Sequence, residues 1–454
     1  MPSISLSSVL LFALIVPPIT KYWLWPGEMD YPLYGIIFSG ILIYLLLDLK
    51  LKVISLKEKI YQLKLFTLLL LLILSLGSLM ATSIITRHQR APILNVHDIV
   101  VQVESATRYL IQGKNPYAEN YFGTPLEEWE YRELGNKVTN PALYHFVMPP
   151  FYLLLHVPFY FASKIYPHYF DARVVLLFLL VVTIFLTIKL LGPGEERLLF
   201  IMFLALNPAN LNYFVEGRSD FFVFAFLFLS WFLLTKKKIA LSGVALALAF
   251  GSKQSAWPII PLFLAYVFFE KKEEIVSVIK ALLPGILTTL VIFAPFIAWN
   301  FRAFGESAFL YLSGGVANSY PVSGYGFGML LYQFGIIKDI HAAYPFFIWQ
   351  FAIGLPLLIF LIHGQRKKNT VQKLIFSYGL FLFVFWYFSR YFNNNHLAYL
   401  SMIFISAYFW PTDQKQGVKQ RHFWPQSSSF VNKTSRGKSV PELFNSIELS
   451  GNQK

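Results

Sequence analysis

Ten long apolar runs with almost no charged side chains recur along the chain, and most approach the roughly 17–25 residues that an α-helix needs to cross a bilayer. They cover residues 6–20, 34–49, 65–86, 174–188, 198–215, 221–235, 275–299, 343–363, 374–388 and 397–410, with Asp48 and Lys280 as the two charged residues. Backbone N–H and C=O groups in hydrocarbon must be satisfied within their own segment, so runs without alternating polarity predict helices rather than a barrel. We therefore predict an all-α polytopic membrane bundle of about 10–12 helices.

The composition supports the same fold class. Charged residues make up 14% of the chain and hydrophobic residues 56%, whereas soluble domains carry about 25% charged residues. The chain has no cysteine, which excludes disulfides, thiolate metal sites and cysteine nucleophiles. The first apolar run lacks a basic leader and a small-residue cleavage site, so we interpret it as a helix rather than a removed signal.

The net charge of +14 could indicate nucleic-acid binding, but the basic residues are concentrated in short loops and in the tail. The clusters are Lys50 to Lys64, Lys236 to Lys238, Lys271 with Lys272, Arg366 to Lys368, and the tail beyond residue 410. This is the positive-inside pattern, so we predict a multi-pass cell-membrane protein with these loops and the C-terminus in the cytoplasm. Residues 1–410 form the predicted membrane domain, and the polar segment 411–454 a disordered tail.

Three segments then fall on the external side, namely 87–142, 300–340 and 390–396. The first is about 55 residues long and contains an amphipathic stretch, 99–111. An external loop of this length usually has a function. The external segment 87–142 and the cytoplasmic loop near Lys237 lie on opposite sides of the membrane, so an odd number of crossings must connect them. Four apolar runs lie between them, so one of the four does not span. We assign that role to 143–162, which Pro149, Pro150 and Pro158 interrupt.

Ionisable groups near the external face are the candidate functional residues, because charges beside hydrocarbon are costly. Asp98 lies just before the amphipathic stretch, where its carboxylate can accept a proton from an attacking hydroxyl, and partial burial would raise its pKa toward the useful range. The competing interpretation is a helix N-cap.

Lys253, Arg218 and Arg390 are positively charged candidates near this face. A snorkelling side chain equally explains Lys253, and an interface anchor explains Arg390. His396 could hydrogen-bond a substrate, or it could belong to a capped helix start.

His97 beside Asp98 suggests a metal site. Adjacent residues on one helix diverge, however, and no second cluster of carboxylates or histidines is evident in the sequence. We therefore expect no cofactor, with a divalent cation as the remaining alternative. Tyr109 and Tyr117 could stack on a substrate ring, although aromatic residues are also expected at a membrane interface.

Several short motifs in order resemble one family of membrane enzymes. They are Asp98, Tyr109, Gly113 to Tyr117, Met148 to Phe151, Asn207-Pro208, Gly217 to Asp220, and Gly243 through Gln254. Over roughly residues 65–262 this pattern resembles GT-C superfamily glycosyltransferases, most closely bacterial polyprenol-phosphate-mannose-dependent mannosyltransferases.

The resemblance implies that a hexose such as mannose moves, with inversion, from a polyprenyl-phosphate carrier to an acceptor hydroxyl on a lipid or glycan at the outer, periplasmic face. It implies that Asp98 is the general base. With such a donor, positively charged side chains could neutralise the departing phosphate, and the candidates are Lys253, Arg218 and Arg390. His396 could hydrogen-bond the phosphate or a sugar hydroxyl. The substrate-binding residues that we assign are Tyr109, Asn115, Tyr117, Arg218, Asp220, Lys253, Arg390 and His396.

Two other functions remain open from the sequence. A transporter or lipid-linked glycan flippase would place ionisable residues at the membrane midplane and show paired broken helices. A glycan polymerase would favour a larger late external loop rich in Arg and His, whereas 300–340 carries one Arg. Polar residues gather on one face here, which favours the transferase.

Overall fold

The computed structural model describes residues 4–22, 31–50 and 57–412, and this part of the chain is mainly helical. The helices are α1 (Leu6–Tyr22), α2 (Tyr31–Lys50), α3 (Lys57–Leu72), α4 (Ser78–Arg90), α5 (Asp98–Ile111), α6 (Pro150–Ile165), α7 (Arg173–Leu190), α8 (Glu195–Ala205), α9 (Pro208–Val215), α10 (Asp220–Thr235), α11 (Ile239–Phe250), α12 (Ile260–Glu270), α13 (Ile275–Trp299), α14 (Phe301–Gly305), α15 (Tyr311–Ser313), α16 (Phe327–Gln333), α17 (Phe346–Lys367), α18 (Val371–Tyr387) and α19 (Asn394–Phe409). The predicted all-α membrane fold is confirmed.

In the part of the chain that the structure describes, extended structure is limited to two small pairs. β1 (Tyr131–Glu133) and β2 (Asn136–Val138) form an antiparallel hairpin. β3 (Ser323–Gly324) and β4 (Tyr391–Phe392) pair in parallel and join two segments that are distant in the sequence. The predicted disordered tail falls outside the described residues, apart from its first two positions.

Several helices have the length and composition of membrane spans. Within the described residues, five are long and apolar enough to cross, or six if α8 and α9 are counted as one span. These two helices meet at a 46° bend, where Asn207 caps α9 and Pro208 takes its first position. The N–H of the first residue of a helix has no partner within the helix, so proline, which lacks an N–H, is accommodated there. A new helix therefore begins at Pro208, and the apolar run 198–215 breaks at this point.

One end of the bundle, here called the lysine end, gathers the predicted basic loops. Lys237 pairs with Glu270 at 2.8 Å, and Arg366 pairs with Glu273 at 3.1 Å. The start of α1 reaches the same end, because the backbone N–H of Ser7 donates to Glu195 at 2.8 Å. The charge pattern in the sequence thus corresponds to a common end in the fold.

The opposite end, here called the Asp98 end, gathers the termini of α4, α5, α7, α10, α11 and α19. Helix α6 begins there, and the chain that follows it returns there. The N–H of Phe151 donates to the carbonyl of Gly251 at 2.7 Å, and Asp171, which follows α6, pairs with Arg87 at the end of α4. The segment from Phe151 to Asp171 therefore leaves this end and returns to it. That the apolar run 143–162 does not span the membrane stays a prediction.

Candidate active site

Asp98 is the first residue of α5, and both oxygens of its carboxylate have polar partners. Oδ1 lies 2.6 Å from Nδ1 of His97, and Oδ2 accepts a hydrogen bond from Nδ2 of Asn140 at 3.3 Å. His97, not Asp98, occupies the N-cap position, and its extended backbone turns the ring toward the carboxylate. The prediction that the two side chains diverge is therefore wrong, and so is the interpretation of Asp98 as the cap.

The Nδ1 atom of His97 also lies 3.3 Å from the backbone nitrogen of Ile99. The contact with Asp98 requires a proton on Nδ1, whereas the contact with Ile99 requires a lone pair on the same atom. The shorter contact involves a charged acceptor and is the stronger of the two. We therefore assign the proton to Nδ1, so that His97 donates to Asp98.

The environment of Asp98 favours its ionised form. Burial opposes ionisation, but His97, the hydrogen bond from Asn140 and the positive charge of Arg218 outweigh it and lower the pKa of the carboxyl. The expectation of a raised pKa is thus wrong. The side chain is 16% exposed, so at neutral pH Asp98 is a charged carboxylate that a substrate can reach.

A buried charge cluster, consisting of Arg87, Glu104, Asp171 and Arg173, fixes α5 against α4 and α7. The guanidinium of Arg87 donates to both oxygens of Glu104 at 2.8 and 2.9 Å and to Asp171 at 2.8 Å. Arg173 binds both oxygens of Asp171 at 2.8 and 2.9 Å. Two positive and two negative charges balance, which makes their nearly complete burial tolerable.

The segment before α10 packs closely on the start of α5. The N–H of His97 donates to the carbonyl of Glu216 at 2.8 Å. Gly217 has a φ of +84°, and a Cβ atom there would lie 2.4 Å from a methyl group of Val100. Only glycine combines this left-handed backbone with such a close approach, so Gly217 is what allows Arg218 to lie near Asp98.

A second polar group forms where α10, the turn after α11 and α19 meet. Lys253 pairs with Asp220 at 2.5 Å, and the other oxygen of Asp220 accepts from Nδ2 of Asn395 at 3.0 Å. His396 closes a capping box, since its Nδ1 accepts from the N–H of Asn393 at 2.8 Å. The Lys253 side chain is 16% exposed, so its ammonium group is held inward by Asp220 and does not snorkel.

Arg218 links the two groups electrostatically, since its charge acts on Asp98 and on His396. Its guanidinium lies over the ring of Tyr213, 4.7 Å from the centroid. Within the described part of the chain, its side chain makes one hydrogen bond, from Nε to Glu216 at 3.3 Å. Both terminal nitrogens of Arg218 are therefore available to a ligand.

Four of the other sequence-predicted site residues have different surroundings. The hydroxyl of Tyr117 donates to the carbonyl of Met148 at 2.7 Å, and its ring packs among phenylalanines in the core. Asn115 is buried and accepts from the N–H of Tyr117 at 3.0 Å. Tyr109 lies eleven residues along α5 from Asp98, about 16 Å by the helical rise.

Arg390 is the fourth of these residues, and it binds backbone rather than open space. Its guanidinium donates to the carbonyls of Tyr320 at 2.6 Å, Ala342 at 2.8 Å and Ile340 at 3.0 Å. The side chain is buried. Arg390 therefore fastens the segment that follows α15 onto the turn before α19.

Asn140, Asn395 and the arginines of the buried charge cluster were not predicted from the sequence. One available signal was Asn140 before Pro141, the pattern of a helix start, and Asn140 does cap the short turn that follows. The other contacts join residues far apart in the chain, and no local pattern encodes them. Among the described residues, no group of three or more His, Asp or Glu side chains could hold a metal ion.

The bundle and its polar end define a polytopic membrane protein with a charged site at one end. Residues 146–407 match the model of glycosyltransferase family 87, a GT-C-type family of membrane glycosyltransferases. The match covers more than half of the chain, which therefore belongs to this family and is a membrane glycosyltransferase. No curated protein and no solved structure matches it. Arg218, Asp220, Lys253, Arg390 and His396 lie within the matched segment, whereas Asp98 precedes it.

Proposed function

We propose that this glycosyltransferase moves a hexose, such as mannose, from a polyprenyl-phosphate carrier to an acceptor hydroxyl at the external face of the membrane, with inversion. One observation carries the proposal. An ionised carboxylate, Asp98, and two positively charged side chains, Arg218 and Lys253, converge at the end of the bundle opposite the basic loops.

The step needs a base on one side of the sugar and positive charge on the other. The acceptor oxygen forms a bond to C1 of the sugar while the bond from C1 to the phosphate oxygen breaks. The acceptor proton passes to Asp98, and the electron pair leaves with the phosphate. A general base in this position contributes typically 10²- to 10⁴-fold to the rate.

Charge develops on the leaving group during this step. A phosphate monoester carries about −1.5 to −2 charge at neutral pH. Arg218 supplies two unbonded terminal nitrogens, and Lys253 supplies an ammonium group that Asp220 orients. Fixed cations of this kind stabilise developing negative charge most effectively where water is scarce.

An apolar groove supports a lipid-linked donor. It has a volume of 440 Å³ and lies between α6, α11 and α13, where its walls include Phe151, Leu154, Leu248, Leu287 and Val291. It lies beside the contact of Phe151 with Gly251, and Gly251 precedes Lys253 by two residues. A prenyl chain in this groove would hold its phosphate near Lys253, and the hydrophobic effect would favour its binding.

The donor is tested with the reconstituted protein. Polyprenyl-phosphate mannose, polyprenyl-phosphate glucose and the corresponding nucleotide sugars are each supplied in labelled form with a membrane lipid extract. We expect label transfer from a polyprenyl phosphate and inverted configuration at C1 of the product by NMR. Transfer from a nucleotide sugar alone would refute the lipid-linked donor, and retained configuration would refute the single displacement.

A further inference from the structure

A largely irregular segment precedes α6 and contacts both polar groups of the candidate active site. Residues 140–148, here called the connecting segment, begin with one short turn and then follow no helix or strand up to α6. The first residue, Asn140, donates to Asp98 through Nδ2 at 3.3 Å. Toward the other end, the carbonyl of Val147 accepts a hydrogen bond from the residue that directly follows Lys253. The connecting segment therefore runs from the proposed base to one of the proposed cations.

Gln102 holds the half of the connecting segment that is nearer Asp98. It follows Asp98 by four residues on α5, so the two side chains lie one turn apart on the same face of the helix. Nε2 of Gln102 donates to the carbonyl of Ala142 at 2.5 Å and to that of His145 at 2.8 Å. Gln102 is 1% exposed. The helix that carries Asp98 therefore also fixes the segment from which Asn140 reaches it.

Gln254 holds the other half of the connecting segment in the same way. Its Nε2 donates to the carbonyl of Val147 at 2.8 Å and to that of Ala308 at 3.0 Å. Gln254 begins the short turn that follows Lys253, so the backbone that carries the ammonium group is tied to the connecting segment. Two glutamines thus bind one irregular segment, each from beside a charged residue of the site.

Satisfying buried carbonyl groups is one reason for these hydrogen bonds. Carbonyls outside helices and strands need partners other than a backbone ladder, and leaving one unpaired inside a protein is costly. A side chain from any neighbouring element would meet that need. It does not explain why one amide lies a helical turn from Asp98 and the other directly follows Lys253.

We propose that Gln102 and Gln254 are positioning residues, which act through the connecting segment to set the distance between Asp98 and Lys253. This inference rests on the proposed function, because it assigns a task to residues behind the same site. In a single displacement, the base must reach the acceptor hydroxyl while the cation reaches the phosphate across the same sugar carbon. Rates depend steeply on such spacing, and a displacement of about 1 Å can cost about 10²-fold.

Gln102 has a second, measurable effect, which acts through Asn140. The hydrogen bond from Asn140 is one of the interactions that lower the pKa of Asp98. Without the amide of Gln102, the connecting segment loses two hydrogen bonds close to Asn140, and the contact of Asn140 with Asp98 should weaken. The pKa of Asp98 should then rise. Gln254 acts at the far end of the segment, so its loss should leave this pKa unchanged.

The first test measures this pKa without substrate. Infrared difference spectroscopy follows the titration of carboxyl groups in the full-length protein in nanodiscs, and the band that disappears in Asp98→Asn identifies Asp98. We expect Gln102→Met, which has a similar volume but no amide, to raise the pKa of Asp98. In the background of Asn140→Ala, which removes the donor itself, Gln102→Met should raise it no further. An unchanged pKa in Gln102→Met would overturn the inference.

The matched control is Gln372→Met. Gln372 also donates through Nε2 to a backbone carbonyl, that of Ala407 at 3.0 Å. Ala407 lies near the end of α19, whereas the site is at the start of that helix. The control should therefore leave the pKa of Asp98 and the rate of transfer unchanged, and a control that moves the pKa as far as Gln102→Met would contradict a specific role of Gln102.

The second test measures transfer. We expect Gln102→Met and Gln254→Met each to lower kcat/KM about 10- to 100-fold. In Gln102→Met the loss should lie in kcat, with the KM for the donor unchanged, because the base does not bind the donor. Both glutamines act through one segment, so the double variant should lose much less than the product of the two single losses. Losses that multiply would show two independent packing defects and would overturn the inference.

The two tests also separate this inference from the proposed function. A raised pKa of Asp98 in Gln102→Met, with no transfer from any polyprenyl phosphate by the wild-type protein, would refute the proposed function and leave the positioning of Asp98 intact. Transfer by wild type, with Gln102→Met and Gln254→Met as active as Gln372→Met, would refute the positioning role and leave the proposed function intact.

Discussion

The buried charge cluster gives a prediction whose size follows from its contacts. In Asp171→Asn, a neutral amide replaces a carboxylate that accepts three side-chain hydrogen bonds from Arg87 and Arg173 at 2.8 to 2.9 Å. The amide keeps one acceptor oxygen and turns an NH₂ group toward guanidinium donors. About two charge-assisted bonds are lost, each worth about 1.5–3 kcal/mol.

The substitution also leaves two buried guanidinium groups with Glu104 as their one carboxylate. Breaking a buried ion pair from one side costs about 3–5 kcal/mol, in agreement with the count of lost bonds. We therefore expect the free energy of unfolding of Asp171→Asn to fall by about 3–5 kcal/mol.

The assay is reversible denaturant unfolding in mixed micelles, followed by tryptophan fluorescence. The matched control is Glu270→Gln, which breaks the half-exposed pair with Lys237 and should cost little. A loss for Asp171→Asn as small as that of the control would refute the view that the cluster stabilises the Asp98 end.

Three further predictions concern the site. Asn140→Asp keeps the oxygen that caps the next turn but places a negative charge beside Asp98, so the pKa of Asp98 should rise. The acid limb of the kcat/KM profile should then move to higher pH, and an unmoved limb would contradict Asp98 as the titrating base. Lys253→Met should raise the KM for the donor or lower kcat, and it also leaves Asp220 without its cation. Lys253→Arg keeps a positive charge and should therefore retain more activity than Lys253→Met. Equal activity in wild type and both variants would remove Lys253 from the site. Gly217→Ala should lower the free energy of unfolding by about 2–4 kcal/mol, because of its left-handed backbone and steric overlap, and thermal unfolding unchanged from wild type would contradict this.

The sequence predicts the helices well because hydropathy is a local property. The run 275–299 coincides with α13 (Ile275–Trp299), and the amphipathic stretch 99–111 differs from α5 by one residue. The run 198–215 was predicted as one span, yet the chain bends at Asn207, where the capping side chain and the following proline favour a new helix start.

The site was predicted in part, because the charge of a residue and its position beside an apolar run are also local properties of the sequence. Charged residues beside apolar runs are conspicuous, so Asp98, Arg218, Asp220 and Lys253 could be selected one by one. That Lys253 pairs with Asp220, or that Asn140 donates to Asp98, depends on how distant segments pack.

The pKa of Asp98, which is lowered where the sequence predicted a rise, also depends on how the chain packs. Its position near an apolar helix suggested burial, which raises the pKa of a carboxyl. Its actual partners, His97 and Asn140, reverse the sign. His97 is adjacent in sequence, but its effect depends on the extended N-cap backbone that turns the ring toward Asp98.

Asp98 as the general base is the central claim, and single-turnover transfer tests it most directly. Wild type and Asp98→Asn are each mixed in excess with labelled polyprenyl-phosphate hexose and a saturating acceptor, after equilibrium binding has shown that both proteins bind the donor. We predict that Asp98→Asn binds the donor normally and transfers about 10²- to 10⁴-fold more slowly. A transfer rate in Asp98→Asn within a few-fold of wild type would contradict the account.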